Sequence, residues 1–210
     1  MGIKIGVLAL QGDVEENVNA TREALRSLKL DDGDVVQVKY PEHIGGIDGL
    51  IIPGGESTVI GTLAMLNGSL KVIRERISAG MPVLGTCAGM IVLAKRAYDR
   101  VVGETRQQLL NLLDVTVERN AFGRQIDSFE ADLSIKVIGD KPFKGVFIRA
   151  PVVKNVGSNV DVLARLDDSS NKIVAVQQGN IIGTSFHPEL SGDTRLHEYF
   201  IRLVKEYKKK

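Results

Sequence analysis

Cys87 is the only cysteine in 210 residues, and it stands between two glycines in "GTCAG" (85–89). The pattern is Gly-x-nucleophile-x-Gly. In such a motif a sharp strand-to-helix turn exposes a nucleophile at its apex, and small neighbours permit the tight approach. The helix that follows aims N–H groups and partial positive charge at the apex, which suits a thiolate. It also places the backbone N–H of Ala88 where an oxyanion would form. A free cysteine is otherwise usually a small buried hydrophobe. Here the apolar run "PVLG" (82–85) before it and the helical stretch after it supply the context a nucleophile needs.

A thiol nucleophile needs a base, and the chain has three histidines. His43 lies in "YPEHIGG", a loop with no strand end beside it. His197 lies in the last helix and is expected on its surface. His187 lies in "GTSFHPEL", just after a buried strand. Pro188 biases His187 toward an extended backbone, in which residues i and i+2 face the same side. His187 and Glu189 therefore project together, and the carboxylate can fix the imidazole tautomer and stabilise its protonated form. "PGGES" (53–57) is a second glycine-rich turn after a strand. Paired glycines let backbone approach a ligand closely, so the Gly55 N–H is a candidate second oxyanion donor. Glu56 is a candidate partner for a cationic group such as an α-ammonium. A plain turn capped by Ser57 or Thr58 has the same composition. The stretch is not a phosphate loop, because the Gly-Lys-Ser/Thr is missing.

Strands and helices must alternate to position these groups. "IKIGVLAL" (3–10) is a continuous apolar run, as expected for a strand covered on both faces. Asp13 is placed to N-cap a helix from about Val14 to Leu28. Strands at 34–40, 49–53 and 82–85 alternate with helices at 58–66, 69–79 and 88–96, which implies parallel βαβ units in a three-layer α/β domain. The second half is strand-rich, with candidates at 132–138, 145–150, 161–166, 172–178 and 180–186. The last two are joined at Gly179 in a tight hairpin. A final amphipathic helix spans about 194–207. No linker or repeat interrupts the chain, so residues 1–210 read as one domain, the second half extending the sheet of the first.

Composition removes several classes of function. Formal net charge is +1, Trp is absent and aromatics are 5%. Neither the basic excess nor the stacking platforms of a nucleic-acid binder are present. Apolar runs stop short of membrane-spanning length, and the N-terminus lacks the cleavage site of a secretory signal. One cysteine forms no internal disulfide, which fits a reducing cytoplasm. The "KEYKKK" tail reads as a solvated helix end.

"PGGES", "GTCAG" and "FHPE", in this order and spacing, resemble the class I (triad-type) glutamine amidotransferases. The match narrows with "GVLALQGDVEEN" (6–17), "VERNAFGRQIDSFEADL" (117–133), "GVFIRAPVV" (145–153) and "TSFHPEL" (184–190). These resemble the family of glutaminase subunits of pyridoxal 5′-phosphate synthases, over nearly the whole chain. The resemblance implies a mixed, mostly parallel sheet with helices on both faces. It implies that Cys87 attacks the side-chain amide of L-glutamine, with His187 shuttling protons and Glu189 orienting it. The family's glutamine-contacting positions fall on Gly54, Gly55, Glu56, Arg119, Ile148 and Arg149, and an arginine can grip a carboxylate bidentately. The resemblance implies no cofactor and no metal. It implies a barrel-type synthase subunit as partner in a hetero-oligomer, taking ammonia through an internal tunnel, with Gln11 and Gly12 shifting when that partner binds. One departure is Asn17, where the family usually has a histidine with a possible interface role. The segment 97–114 is assigned no chemistry. A glutaminase serving another synthase, and a non-catalytic module of the same fold, remain open alternatives.

Overall fold

A computed structural model of the chain describes residues 2–99, 101–121, 128–167 and 169–209. The first half contains strands β1 (Lys4–Leu8), β2 (Asp34–Val38), β3 (Gly49–Ile52) and β4 (Val83–Thr86). Its helices are α1 (Val14–Ser27), α2 (Pro41–Ile44), α3 (Ser57–Leu66), α4 (Ser69–Ser78) and α5 (Ala88–Leu93). Strands β5 (Ala94–Asp99), β6 (Gly103–Glu104), β7 (Leu113–Arg119), β8 (Ser128–Leu133) and β9 (Phe143–Ile148) follow. The chain continues through β10 (Val152–Val156), β11 (Asp161–Arg165), β12 (Ile173–Gln178), β13 (Ile181–Thr184) and helix α6 (Arg195–Lys208).

The main sheet runs β2-β1-β3-β4-β13-β12-β10-β7-β5-β6, with β11 also paired to β12. From β2 to β13 every pairing is parallel. These central strands are apolar on both faces because helices cover both. Ile5, Val7, Ile51 and Leu84 pack with Val18 of α1 and Phe200 of α6 on one side. Leu8, Leu50, Ile52 and Val83 pack with Ile60, Ile73 and Met90 of α3, α4 and α5 on the other. Each fully buried aliphatic side chain there contributes about 1.5–3 kcal/mol. The hairpin at Gly179 forms as expected, with Gln178 opposite Ile181 and Gly179 at φ 56°. It returns β13 to the centre of the sheet beside β4, which brings His187 and Cys87 to the same edge.

Three expectations need correction. The helix expected over 88–96 ends at Leu93, and Ala94 opens β5 instead. Parallel pairing of β5 with β7 outweighs the modest helix preference of "AKRA". The strand expected over 132–138 starts earlier, at Ser128, and stops at Leu133. Leu133 pairs with Phe143, the first residue of β9, so no partner remains beyond it, and Lys136–Ile138 form a 3-10 turn. Nor does the whole second half join the main sheet: β8 and β9 make a separate two-stranded sheet. Phe143 and Phe147 seat it on Phe186.

Candidate active site

Cys87 has φ 49° and ψ −103°, a backbone conformation that costs an L-residue about 1–3 kcal/mol. The surroundings hold it there. Its N–H donates to the Thr184 carbonyl at 2.8 Å. Gly85 and Gly89 lie against each other, and a Cβ on Gly89 would overlap the Ile52 carbonyl. The two glycines flanking the cysteine thus allow β4 and α5 to close on each other, as the motif requires.

His187 follows β13, and its N–H donates to the Val146 carbonyl of β9 at 2.8 Å. The ring is 5% exposed and its Nδ1 lies 2.9 Å from Glu189 Oε1. The pairing foreseen from the sequence is present, but the backbone differs. His187 itself is extended, whereas Pro188–Leu190 form a 3-10 turn. That turn, rather than strand alternation, swings the Glu189 carboxylate back onto the ring. Glu189 is fully buried as a side chain, and its Oε2 has no partner among the described residues.

A second carboxylate meets the same nitrogen. Asp13 Oδ2 lies 3.2 Å from His187 Nδ1. Asp13 occupies the N-cap position of α1 but makes no side-chain capping bond. Its carboxylate faces the histidine instead, which corrects the expectation of a cap. Burial opposes protonation of His187. Hydrogen bonds to Asp13, Cys87 and Glu189, with the charge on Cys87, outweigh it and push the imidazole up to about 12. Both carboxylates stand at hydrogen-bonding distance from the ring.

The cavity in front of Cys87 has a volume of about 320 Å³. Its walls include Gly55, Glu56, Ala88, Arg119, Ile148, Arg149 and His187, so most sequence-predicted residues converge on one space. Gly54 lies behind the wall, where a Cβ would collide with the His187 ring and the Asp13 carboxylate. Gly55 has φ 146°. Gln11 reaches across to this turn, its Oε1 accepting the Glu56 N–H at 2.7 Å. A Cβ on Gly12 would collide with the Gly54 carbonyl. Ile148 is 38% exposed, and Arg149 has φ 41° in the turn after β9. Cys87 Sγ stands 4.0 Å from the Ile148 carbonyl.

At the far end of the cavity, Arg119 Nη2 pairs with Glu56 Oε1 at 3.0 Å. Glu56 also caps α3, its Oε1 3.4 Å from the Thr58 N–H. Gln107 ties the cluster together. Its Oε1 accepts from Arg119 Nη1, Ser57 Oγ and Thr58 Oγ1, each at 3.1 Å. Gln107 lies in the segment to which the sequence assigned no chemistry. No motif marks it; only the approach of the β6–β7 connection to α3 brings it in. Residues 122–127 of the motif 117–133 lie outside the described residues.

One further expectation changes. His197 is not on the helix surface. It is fully buried in α6, neither ring nitrogen has a partner among the described residues, and burial pushes it down to about 4. Asn17, where the family usually has a histidine, is fully buried. Its Nδ2 donates to the Asp13 carbonyl at 2.8 Å, one turn into α1.

An elbow cysteine facing a buried, carboxylate-bound histidine is the arrangement of thiol-dependent acyl-transfer enzymes built on α/β sheets. Residues 7–206 match the SNO glutamine amidotransferase family, and the chain belongs to that family. It is 54% identical to the pyridoxal 5′-phosphate synthase subunit PdxT of Nitrosopumilus maritimus, over 99% of this chain and 100% of that one. It is 50% identical to the PdxT of Pyrococcus furiosus, over 96% and 99%. A solved glutamine amidotransferase superposes with a TM-score of 0.82 at 46% identity, covering 96% of this chain and 98% of that one. The class I glutamine amidotransferase-like α/β fold is thereby established.

Proposed function

We propose that the chain is the glutaminase subunit of a pyridoxal 5′-phosphate synthase, converting L-glutamine and water to L-glutamate and ammonia. The observation that carries this reading is the meeting of Cys87, His187 and Glu189 at the end of a cavity whose other end holds a paired Glu56 and Arg119. Glutamine bears an ammonium and a carboxylate on one carbon, and an adjacent anion and cation complement them. Its side-chain amide then extends toward the thiol.

The chemistry proceeds in two halves. Cys87 Sγ bonds to the amide carbon as a thiolate, its proton already held on His187. The amide oxygen gathers negative charge, which the N–H groups of Gly55 and Ala88 stabilise. His187 protonates the departing nitrogen, ammonia leaves, and a γ-glutamyl thioester remains. Water, deprotonated by His187, attacks the thioester carbon and releases glutamate and the free thiol. Glu189 keeps Nδ1 protonated, so Nε2 faces the reaction. Gly54, Ile148 and Arg149 complete the substrate walls.

The relatives are named as subunits of a pyridoxal 5′-phosphate synthase, which supports a synthase partner. Ammonia is useful only if kept from water, so a barrel-type synthase subunit docks over the cavity and receives it through a tunnel. Gln11 and Gly12, braced against Gly54 and Glu56, are the segment that responds to docking. Residues 1–210 act as one glutaminase domain, a reading supported by the return of β13 between β4 and β12. No helix among the described residues is long and apolar enough to cross a membrane. A working free thiol suits the reducing cytoplasm. The test is glutamate release with and without the synthase subunit. The reading expects stimulation by the partner and none in Cys87→Ala. Undiminished release by that variant would refute it.

A further inference from the structure

The imidazole of His187 carries one more carboxylate than its proposed role demands. Glu189 alone would orient the ring, since it is buried and only 2.9 Å from Nδ1. Asp13 reaches the same nitrogen at 3.2 Å from a different element, and its side chain is 37% exposed. It is not there to cap α1, because it makes no capping bond. Its backbone is fixed independently: the Asp13 N–H donates to the Gly54 carbonyl at 3.1 Å, and the Asn17 amide grips the Asp13 carbonyl at 2.8 Å. Gly54 itself has no room for a side chain, because a Cβ would strike both the ring and this carboxylate.

We propose that Asp13 is a second positioning carboxylate for His187, tying the histidine to the segment that braces the Gly54–Glu56 turn. This rests on the proposed roles of Cys87 and His187. Three groups face the ring: Glu189 from the 3-10 turn, Cys87 from the elbow and Asp13 from the start of α1. Of these, Asp13 alone belongs to the segment whose Gln11 holds the Glu56 N–H. A displacement of residues 11–13 therefore loosens the oxyanion turn and withdraws negative charge from the histidine in one movement. Asp13 and Glu189 each hold the proton on the ring, Asp13 from a partly solvated position and Glu189 from a buried one.

The experiment compares wild type, Asp13→Asn, Asp13→Ser and Glu189→Gln, each saturated with the synthase subunit. It measures kcat and KM for glutamine across pH, beside thermal melting. Removing the Asp13 charge lowers the affinity of His187 for its proton. The alkaline fall of kcat is therefore expected at lower pH in Asp13→Asn than in wild type, with kcat down about threefold to tenfold and KM little changed. Asp13→Ser and Glu189→Gln are each expected to shift the profile in the same direction. Unchanged alkaline limbs in both Asp13 variants, with Glu189→Gln displaced, would overturn the inference and leave the catalytic reading standing. Lower melting temperatures with unmoved pH profiles would also overturn it, since they mark a purely structural residue. Glutamate release that persists in Cys87→Ala would overturn the catalytic reading, and the inference with it.

Discussion

His187 and His197 are both buried, at 4% and 0% exposure, yet their surroundings drive them in opposite directions. His187 lies just beyond the central strand β13, where three elements converge on it. Asp13, Cys87 and Glu189 hold its proton so firmly that it titrates at about 12. His197 is buried on α6 with no partner for either nitrogen among the described residues, and burial alone takes it down to about 4. Burial penalises the imidazolium at both positions. What differs is whether compensating anions are present, and these gather only at the end of the parallel sheet. A strand end leaves backbone and side chains of successive loops facing one space.

The largest test of this contrast removes a partner from His187. Cys87→Ala is expected to abolish glutamate release, by ~10³-fold or more, while melting close to wild type. A partner-saturated glutamate assay and a melting curve check both. Glu189→Gln keeps the shape but removes the buried charge, and a loss in kcat of roughly 10²-fold is expected with little change in KM. Steady-state kinetics at several glutamine concentrations would separate the two parameters. A kcat within a factor of two of wild type would show that Glu189 does not orient the base.

The contrast at His197 is expected in stability rather than activity. Its folded value lies below the ordinary 6.5, so the unfolded chain takes up the proton first. Its stability contribution is complete above about pH 6.5 and is lost as pH falls toward 4, on the order of 3 kcal/mol in all. Urea unfolding from pH 7 to 4 reads that loss. His197→Leu is expected to flatten this part of the curve without changing kcat at neutral pH. An equally steep curve in the variant would remove His197 as the cause.

A smaller effect is expected where no histidine is involved. Gln107→Ala frees Arg119 from one of its anchors and should raise the KM for glutamine about tenfold, leaving kcat and its pH profile near wild type. A shifted pH profile would mean that the two ends of the cavity are coupled more tightly than their hydrogen bonds indicate.

Local pattern made much of this molecule legible. Continuous apolar runs marked β1, β3 and β4 because strands covered on both faces admit little else. Gly85 and Gly89 marked the elbow because the close approach of β4 and α5 leaves no room for a Cβ. Glu189 was found from its spacing to His187, although a 3-10 turn rather than strand alternation joins them. The contact of Asp13 with His187, in place of the cap read from the sequence, and the role of Gln107 were missed for a shared reason. Each residue meets a partner far away in the chain, and nothing in its own neighbourhood reports that. The same holds for His197, whose helix face was judged from the helix alone.

The amino-acid sequence by itself determined the alternation of elements, the proposed nucleophile and base, and membership in a glutamine amidotransferase family, because these rest on short-range periodicity and contiguous motifs. Only the tertiary structure decided which carboxylates share His187, what anchors Arg119 and which histidine is left without partners. Those outcomes depend on β13 inserting beside β4 and on loops meeting at one end of the sheet. Distances between such loops are set by packing, which no local run of residues encodes.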